Sequence, residues 1–523
     1  MGLATQDLAR ALADVGEIEG VGASHVQARV PLAMIPTVAG RLTALGVEPQ
    51  ILTATDTRAA SGGFTLTYVF APPGGAPVAT VLASVSAEAP RFPSLATRSF
   101  AASRFEREIQ DLFGLEPVGH PDRRRLALHQ FWPEGYHPLR RDVAARTDFV
   151  DEGQPFPFRH VEGEGIFEIT VGPVHAGIIE PGHFRFSVEG ETIVNLETRL
   201  GFVHKGVEKL FETLPFARTV TLAERISGDT SVAHALAYCQ ALETLAGCVV
   251  PPRAAWLRVV LLELERLYNH VGDVGMIVND TGFAFGHTHC FRLREALLRV
   301  NERLTGHRLL RGAVVPGGVT GPLLEASVVE AARDVTALVG EFVDLAGLCL
   351  QNSMVLERLQ GTGRLTTRTA REMQVVGLVG RASAIDADAR RDAPVDGYRE
   401  LDVHVALRES GDVWARTMVR IDEAREAARL VAMAATRAGR GRTTTTLGPL
   451  RGGAHATSVV EAWRGPLWYW VLADGEASVA RVKPVDPSFR NWPALEYAVL
   501  ENIVPDFPLC NKSFNLSYSG NDL

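Results

Sequence analysis

The stretch ERISGDTSVAH, Glu224 to His234, carries chemically capable side chains at regular intervals. Ser227 and Thr230 stand three residues apart, a spacing that puts both on one face of a helical turn, where a pair of thiolates would bind a soft metal. Both are hydroxyls instead. His234 follows two helical turns after Ser227, so it either faces the same cavity or serves as a hydrogen-bonded core donor. A second polar set lies in HAGIIEPGH, where Glu180 stands among apolar residues between His175 and His183. A buried acid there would be poised for proton transfer; the plainer reading is a carboxylate capping backbone amides.

Other chemistries have less support. The five cysteines (Cys239, Cys248, Cys290, Cys349 and Cys510) are widely spaced with no C-x-x-C pair, which implies buried free thiols and a reducing compartment. His287 and His289 flank Thr288, with no third ligand at a sensible spacing. No G-x-G-x-x-G follows a strand pattern, so a nicotinamide site is not expected in this chain. A net charge of −8 and a pI near 6.0 exclude the basic footprint of a nucleic-acid binder.

The elements that must position these groups follow from periodicity. A chain of 523 residues exceeds one hydrophobic core, and two unequal domains are expected. The alternating runs Phe64 to Ala71 and Val78 to Ala87, joined by PPGGAP, predict a hairpin in a small α+β domain. Ser103 to Glu116 predicts a helix capped by Ser103 and stopped at Gly114. Residues 143–164, within a Pro-, Gly- and Arg-rich stretch, read as a linker between a domain at 1–142 and one at 165–523. The second domain begins with strands, continues as long helices from about Phe216 to Gln360, and adds a charged helix near Trp414 to Arg437. A hairpin follows, with strands SVVEAWRGPLWYWVLA and ASVARVKPV around Asp474-Gly475. The aromatic run Trp463 to Trp470 reads as packing on that strand. No apolar run is long and uninterrupted enough to span a bilayer, and the first twenty residues lack a signal-peptide core.

The segment FEREIQDLFGLEPVGHPDRRRLALHQFWPEGYHPLRRD (Phe105 to Asp142) resembles the hydrophilic C subunit of respiratory complex I. GPVHAGIIEPGHFRF, LGFVHKGVEKL, ERISGDTSVAHALAY, GLVGRASAIDADARRDAP and VVEAWRG resemble the complex I D subunit and the large subunit of energy-converting nickel-iron hydrogenases. The resemblance implies an α+β chain: a small C subunit-like domain, then a mainly helical domain with peripheral strands. It implies that the metal-binding cysteines of the active hydrogenases correspond to Ser227, Thr230, Ser517 and Gly520. All four thiols are lost, and hydroxyls do not replace soft donors for nickel and iron. In the complex I branch a tyrosine in this motif, here Gly228, and a loop histidine serve a quinone. His175 and His183 are the two loop histidines of this chain, and together with Gly228 they outline a candidate quinone cavity. Glu180 matches a proton-relay glutamate of the hydrogenase branch, and His234 is the second candidate for proton chemistry.

The chain is thus expected to bind no cofactor tightly, with an iron-sulfur cluster on a partner resembling the complex I B subunit or the hydrogenase small subunit. Antiporter-like and H subunit-like membrane proteins would hold it peripherally on the cytoplasmic face of the membrane. Two functions compete: an oxidoreductase subunit passing electrons to a quinone or another acceptor with ion translocation, and a coupling or scaffold subunit around a metal-free site. An active nickel-iron hydrogenase is the weakest reading. Arg358, Arg381, Arg390, Asp386 and Asp388 form the densest charged set, readable as a charge chain from the cavity or as structural ion pairs.

Overall fold

A computed structural model describes residues 3–144, 149–151, 153–321, 323–475 and 478–523. The N-terminal part is built on a five-stranded sheet of β1 (Glu17–Val21), β2 (His25–Arg29), β3 (Glu48–Thr57), β4 (Gly63–Ala71) and β5 (Val78–Ser86). The strand order is β1-β2-β5-β4-β3, with β2 and β5 parallel and the other pairs antiparallel. The expected hairpin is β4 and β5. Helix Phe100–Phe113 packs on β3 and ends where Gly114 turns left-handed (φ 69°), a conformation that costs glycine little. Its start differs from the expectation: Ser99 is the N-cap residue, while Ser103 lies inside the helix, its hydroxyl 3.1 Å from His120 Nε2.

The second part is helical at its centre. Pro252–Asp280, 29 residues long, packs against Val413–Ala438 and Ala284–Thr305, and Glu325–Gln351 covers the outer side. Pro252 opens the first of these at a position whose N–H has no helical partner, so the missing donor costs little. Small and branched apolar residues, Ala424, Ala427, Leu430 and Val431 among them, let the axes approach closely and form the largest core. Among the described residues no helix is long and apolar enough to cross a membrane.

The C-terminal strands differ from the sequence expectation. SVVEAWRGPLWYWVLA forms two strands, His455–Ala462 and Gly465–Gly475, paired Ala462 to Gly465 around a tip made of Trp463 and Arg464. Gly465 permits it: φ is 147°, and the Cα of Gly377 lies 2.8 Å from where a Cβ would stand. Ser478–Val485 completes the sheet. One face of it, with Val459, Trp468, Trp470 and Val485, enters the core of the N-terminal part, where Phe489 stacks 4.9 Å from Phe105. This seam is closed by charge as well. Lys483 bridges Glu108 (2.6 Å) and Glu208 (2.9 Å), and Arg481 donates to Thr53 Oγ1 at 2.9 Å.

Candidate functional site

Three separate pieces of chain build one polar pocket. The first is the turn Ser227 to Thr230, closed by Thr230 N–H donating to Ser227 O at 3.1 Å, after which helix Ser231–Ala246 begins. Its first amides are capped from outside: Glu265 of the long helix accepts Val232 N–H (2.6 Å) and Ala233 N–H (3.0 Å). The second piece is the last turn of chain. Asn515 adopts the left-handed conformation (φ 47°), and Ser517 caps the short helix Tyr518–Asp522 by accepting Gly520 N–H at 2.9 Å. Ser227 Oγ and Ser517 Oγ then lie 2.8 Å apart. The third piece is the hairpin tip.

Arg464 from that tip organises the pocket. Its guanidinium forms a two-pronged pair with Asp229, both contacts at 2.8 Å, and donates to Thr230 Oγ1 at 3.0 Å. Asp229 Oδ1 also accepts the Ser227 and Thr230 hydroxyls, each at 2.9 Å. Trp463 stacks under the guanidinium, 3.8 Å from Cζ to the ring centroid, and its indole N–H reaches Asp229 O and Thr230 Oγ1. Burial alone would raise the Asp229 carboxyl above its ordinary 3.8, but the Arg464 charge and hydrogen bonds override it and hold the group at about 2. The pair is therefore ionised throughout the physiological range.

The pocket opens into a cavity of about 400 Å³. Ile178, Ile179, Met276, Phe291, Leu516 and Tyr518 supply apolar wall, and Glu180, Asp229, Arg294 and Arg464 supply charge. Glu180 is half-buried, and its Oε2 accepts the Ser519 backbone N–H and hydroxyl, both at 3.2 Å. Of the two readings offered by the sequence, the geometry shows the amide cap. Gly228 lines the same cavity, with Arg311 donating to its carbonyl at 3.3 Å.

The remaining sequence candidates lie elsewhere. His234 is fully buried behind the pocket rather than facing the cavity, its Nδ1 2.9 Å from the Tyr469 hydroxyl and its Nε2 3.4 Å from Asp486 Oδ2. His175 turns back on its own loop, Nε2 to Gly182 O at 2.7 Å. His183 borders a different cleft with His129, Phe202 and His204, because it is the first residue of strand His183–Glu189 and its ring leans on Phe158. The structure therefore gathers Glu180, Gly228, Ser227 and Ser517, and leaves the three histidines off the cavity wall.

The donor set does not fit a nickel-iron centre. Ser227, Thr230 and Ser517 spend their hydroxyls on one another, on Asp229 and on Arg464. Gly520 offers no donor, and a Cβ there would meet Asp486 Cγ at 2.7 Å. Soft metals need thiolates free to converge on one point. The sequence reading missed Arg464, Asp229 and Asp486. The Arg-Gly pair at 464 and 465 was the available sign of a turn, and Asp229 lay inside the quoted motif as the one acid between its hydroxyls.

Behind Trp463 lies a separate ionic network. Arg381 pairs with Glu423 (2.8 Å) and Glu461 (2.7 Å), Arg390 with Asp388 (2.7 Å) and Glu263 (3.2 Å), and Arg266 with Glu263 (3.0 Å). His270 Nε2 meets Glu423 at 2.8 Å; burial holds this histidine below its usual range, and the neighbouring guanidinia push Glu423 well below its own despite burial. Of the charged set singled out in the sequence, Arg381, Asp388 and Arg390 belong here. Arg358 pairs with Asp506 near the surface, and Asp386 with the half-exposed Arg391.

Comparison with known proteins places this architecture. The family described as respiratory-chain NADH dehydrogenase, 49 Kd subunit, matches residues 280–451, and the 30 Kd subunit family matches residues 30–148. Formate hydrogenlyase subunit 5 of Escherichia coli K12 is 34% identical over 486 residues, covering 90% of this chain and 84% of that protein. Hydrogenase-4 component G of the same organism is 33% identical, with 90% and 83% covered. The fused C/D subunit of a Bacteroides fragilis NADH-quinone oxidoreductase is 31% identical over 66% of this chain and 68% of its own length. Among solved structures, a chain of an archaeal membrane-bound sulfane sulfur reductase complex shares the fold, with a TM-score of 0.63 at 24% identity over 70% of this chain and all of that one.

Proposed function

We propose, from the premise that this chain belongs to the family of complex I C/D subunits and energy-converting hydrogenase large subunits, that it forms the acceptor site of a membrane-bound respiratory complex. In this reading an iron-sulfur protein of the complex delivers electrons, and a quinone or an acceptor of similar size takes them in the cavity. Protons reach the acceptor through Glu180. Membrane subunits of the complex use the released energy to move ions. No step runs through a metal held by this chain.

The cavity carries this reading. The pocket keeps about 400 Å³ of space, a carboxylate at its wall and an ionised Asp229–Arg464 pair at its inner end, where a fold kept only as scaffold would be free to close. Asp229 and Arg464 hold the turn and the hairpin tip in register, so the wall is fixed before an acceptor arrives. Glu180, which hydrogen-bonds only through Oε2 among the described residues, keeps Oε1 for a proton. The coupling or scaffold role is the second reading; the buried ionic network behind Trp463, which makes no use of the cavity, favours it.

The test uses the intact complex from membranes. Its iron-sulfur clusters are reduced chemically and mixed with a short-chain quinone in a stopped-flow spectrophotometer. Quinone-dependent re-oxidation is expected, slowed by about 100-fold in Glu180→Gln if the carboxyl transfers the proton. Re-oxidation no faster than in buffer removes the acceptor reading and leaves the coupling role.

A further inference from the structure

The positive charges at the cavity are not equally committed. Arg464 is paired with Asp229, and Lys512 with Asp280. Arg294, on helix Ala284–Thr305, has no carboxylate partner among the described residues. Its guanidinium lies 5.8 Å from the ring centroids of both Tyr268 and Phe291. Its stem lies flat on the long helix at Gly272, where a Cβ would stand 2.8 Å from Arg294 Cδ and 3.0 Å from Nε. Glycine at 272 leaves room for that stem, and a Cβ there would displace it from the cavity wall.

The negative groups are accounted for differently. Asp229 spends its charge on Arg464; Asp273 pairs with Arg420 at 2.8 Å and accepts Asn515 Nδ2 at 2.6 Å. Glu180 takes hydrogen bonds from Ser519. What the cavity offers a guest is therefore an apolar and aromatic wall from Met276, Phe291 and Leu516, with one uncommitted guanidinium beside it. A guanidinium in such a position binds an oxyanion through charge-assisted, often two-pronged hydrogen bonds.

We propose that the acceptor bears an anionic oxygen group on a flat apolar body, and that Arg294 seats that group. This rests on the acceptor-cavity reading above and adds the chemical class of the guest. The rings of Tyr268 and Phe291 each lie 5.8 Å from the guanidinium carbon, and Gly272 leaves room for the stem against the helix. Arg294 is then the residue that separates a charged acceptor from a neutral one of the same shape.

The experiment is isothermal titration of the full-length chain at fixed, low salt with two probes: 1,4-naphthoquinone-2-sulfonate and the uncharged 2-methyl-1,4-naphthoquinone. The sulfonate is expected to bind about tenfold or more tightly, the worth of one charge-assisted contact. Arg294→Met should abolish the preference and Arg294→Lys should keep part of it. Arg292→Met, which removes an exposed arginine of the same helix paired with Glu341, should leave it intact. Equal affinities in the unmodified chain, a preference that survives Arg294→Met, or no binding of either probe overturns the proposal. Because the titration moves no electrons, its failure is distinguishable from a failure of cluster re-oxidation.

Discussion

The hydroxyl pocket and the ionic network behind it stand back to back across Trp463. Its indole N–H reaches Asp229 and Thr230 on one side, and its ring lies 6.1 Å from the His270 ring on the other. Both regions are polar and built by the same long helix, yet their charges are deployed differently. In the network Arg266, Arg381, Arg390, Glu263, Asp388, Glu423 and Glu461 are sealed from solvent and answer one another. In the pocket Asp229 and Arg464 are matched, while Glu180 and Arg294 face open space. A sealed cluster whose arginines and carboxylates answer one another holds elements together; a matched pair with further charged groups at a cavity can address a guest.

Breaking the network should cost most. Glu423→Gln leaves Arg381 short of a carboxylate in a sealed interior, and a loss of about 3–5 kcal/mol is expected in denaturant unfolding of the purified chain. Arg464→Met should cost less, about 2 kcal/mol by the same measurement, because Asp229 borders the cavity and water can replace part of the lost contact. Ser517→Ala removes one hydroxyl from the pocket and the cap of a short helix, and about 1 kcal/mol is expected. Smallest is the interaction between the two regions. The double variant Glu423→Gln with Arg464→Met should be additive to within about 0.5 kcal/mol; a larger coupling would show that Trp463 and His270 transmit between them.

Acid titration sharpens the same contrast. The Asp229 carboxyl is lowered from 3.8 to about 2, so its contribution to stability is fully present above about pH 4 and is lost as the pH falls toward 2. In Arg464→Met Asp229 loses the counter-charge that lowers it, so its carboxyl moves back up. The acid unfolding midpoint, followed by circular dichroism, is expected at higher pH in the variant. A midpoint unchanged by the substitution would remove the ion pair from the account of the pocket.

Much of this arrangement was legible in the sequence, for identifiable reasons. The hairpin of β4 and β5 and the long helices follow from strong local periodicity. The convergence of Ser227, Ser517 and Gly520 came from motif resemblance, since spacing cannot join positions nearly 300 residues apart. What escaped was tertiary. A run of Trp, Tyr and Val residues reads as one strand, and only Gly465 in an unusual conformation breaks it and delivers Arg464 to Asp229. His234 follows Ser227 by two helical turns, but Ser227 sits in the turn before the helix, so the shared face never forms. His183 is displaced for a similar reason: the loop ends one residue before it, and the strand fixes its direction.

The seam between the two parts has a consequence in time. The N-terminal core is finished by Val459, Trp468, Trp470 and Phe489, whereas its last helix ends at Phe113. Synthesis at about 5–20 residues per second separates those points, roughly 350 residues apart, by about 15–70 s. For that interval the N-terminal domain emerges with one side of its core uncovered. Until the strands that belong there have been made, that apolar surface is open to whatever other apolar surface it meets.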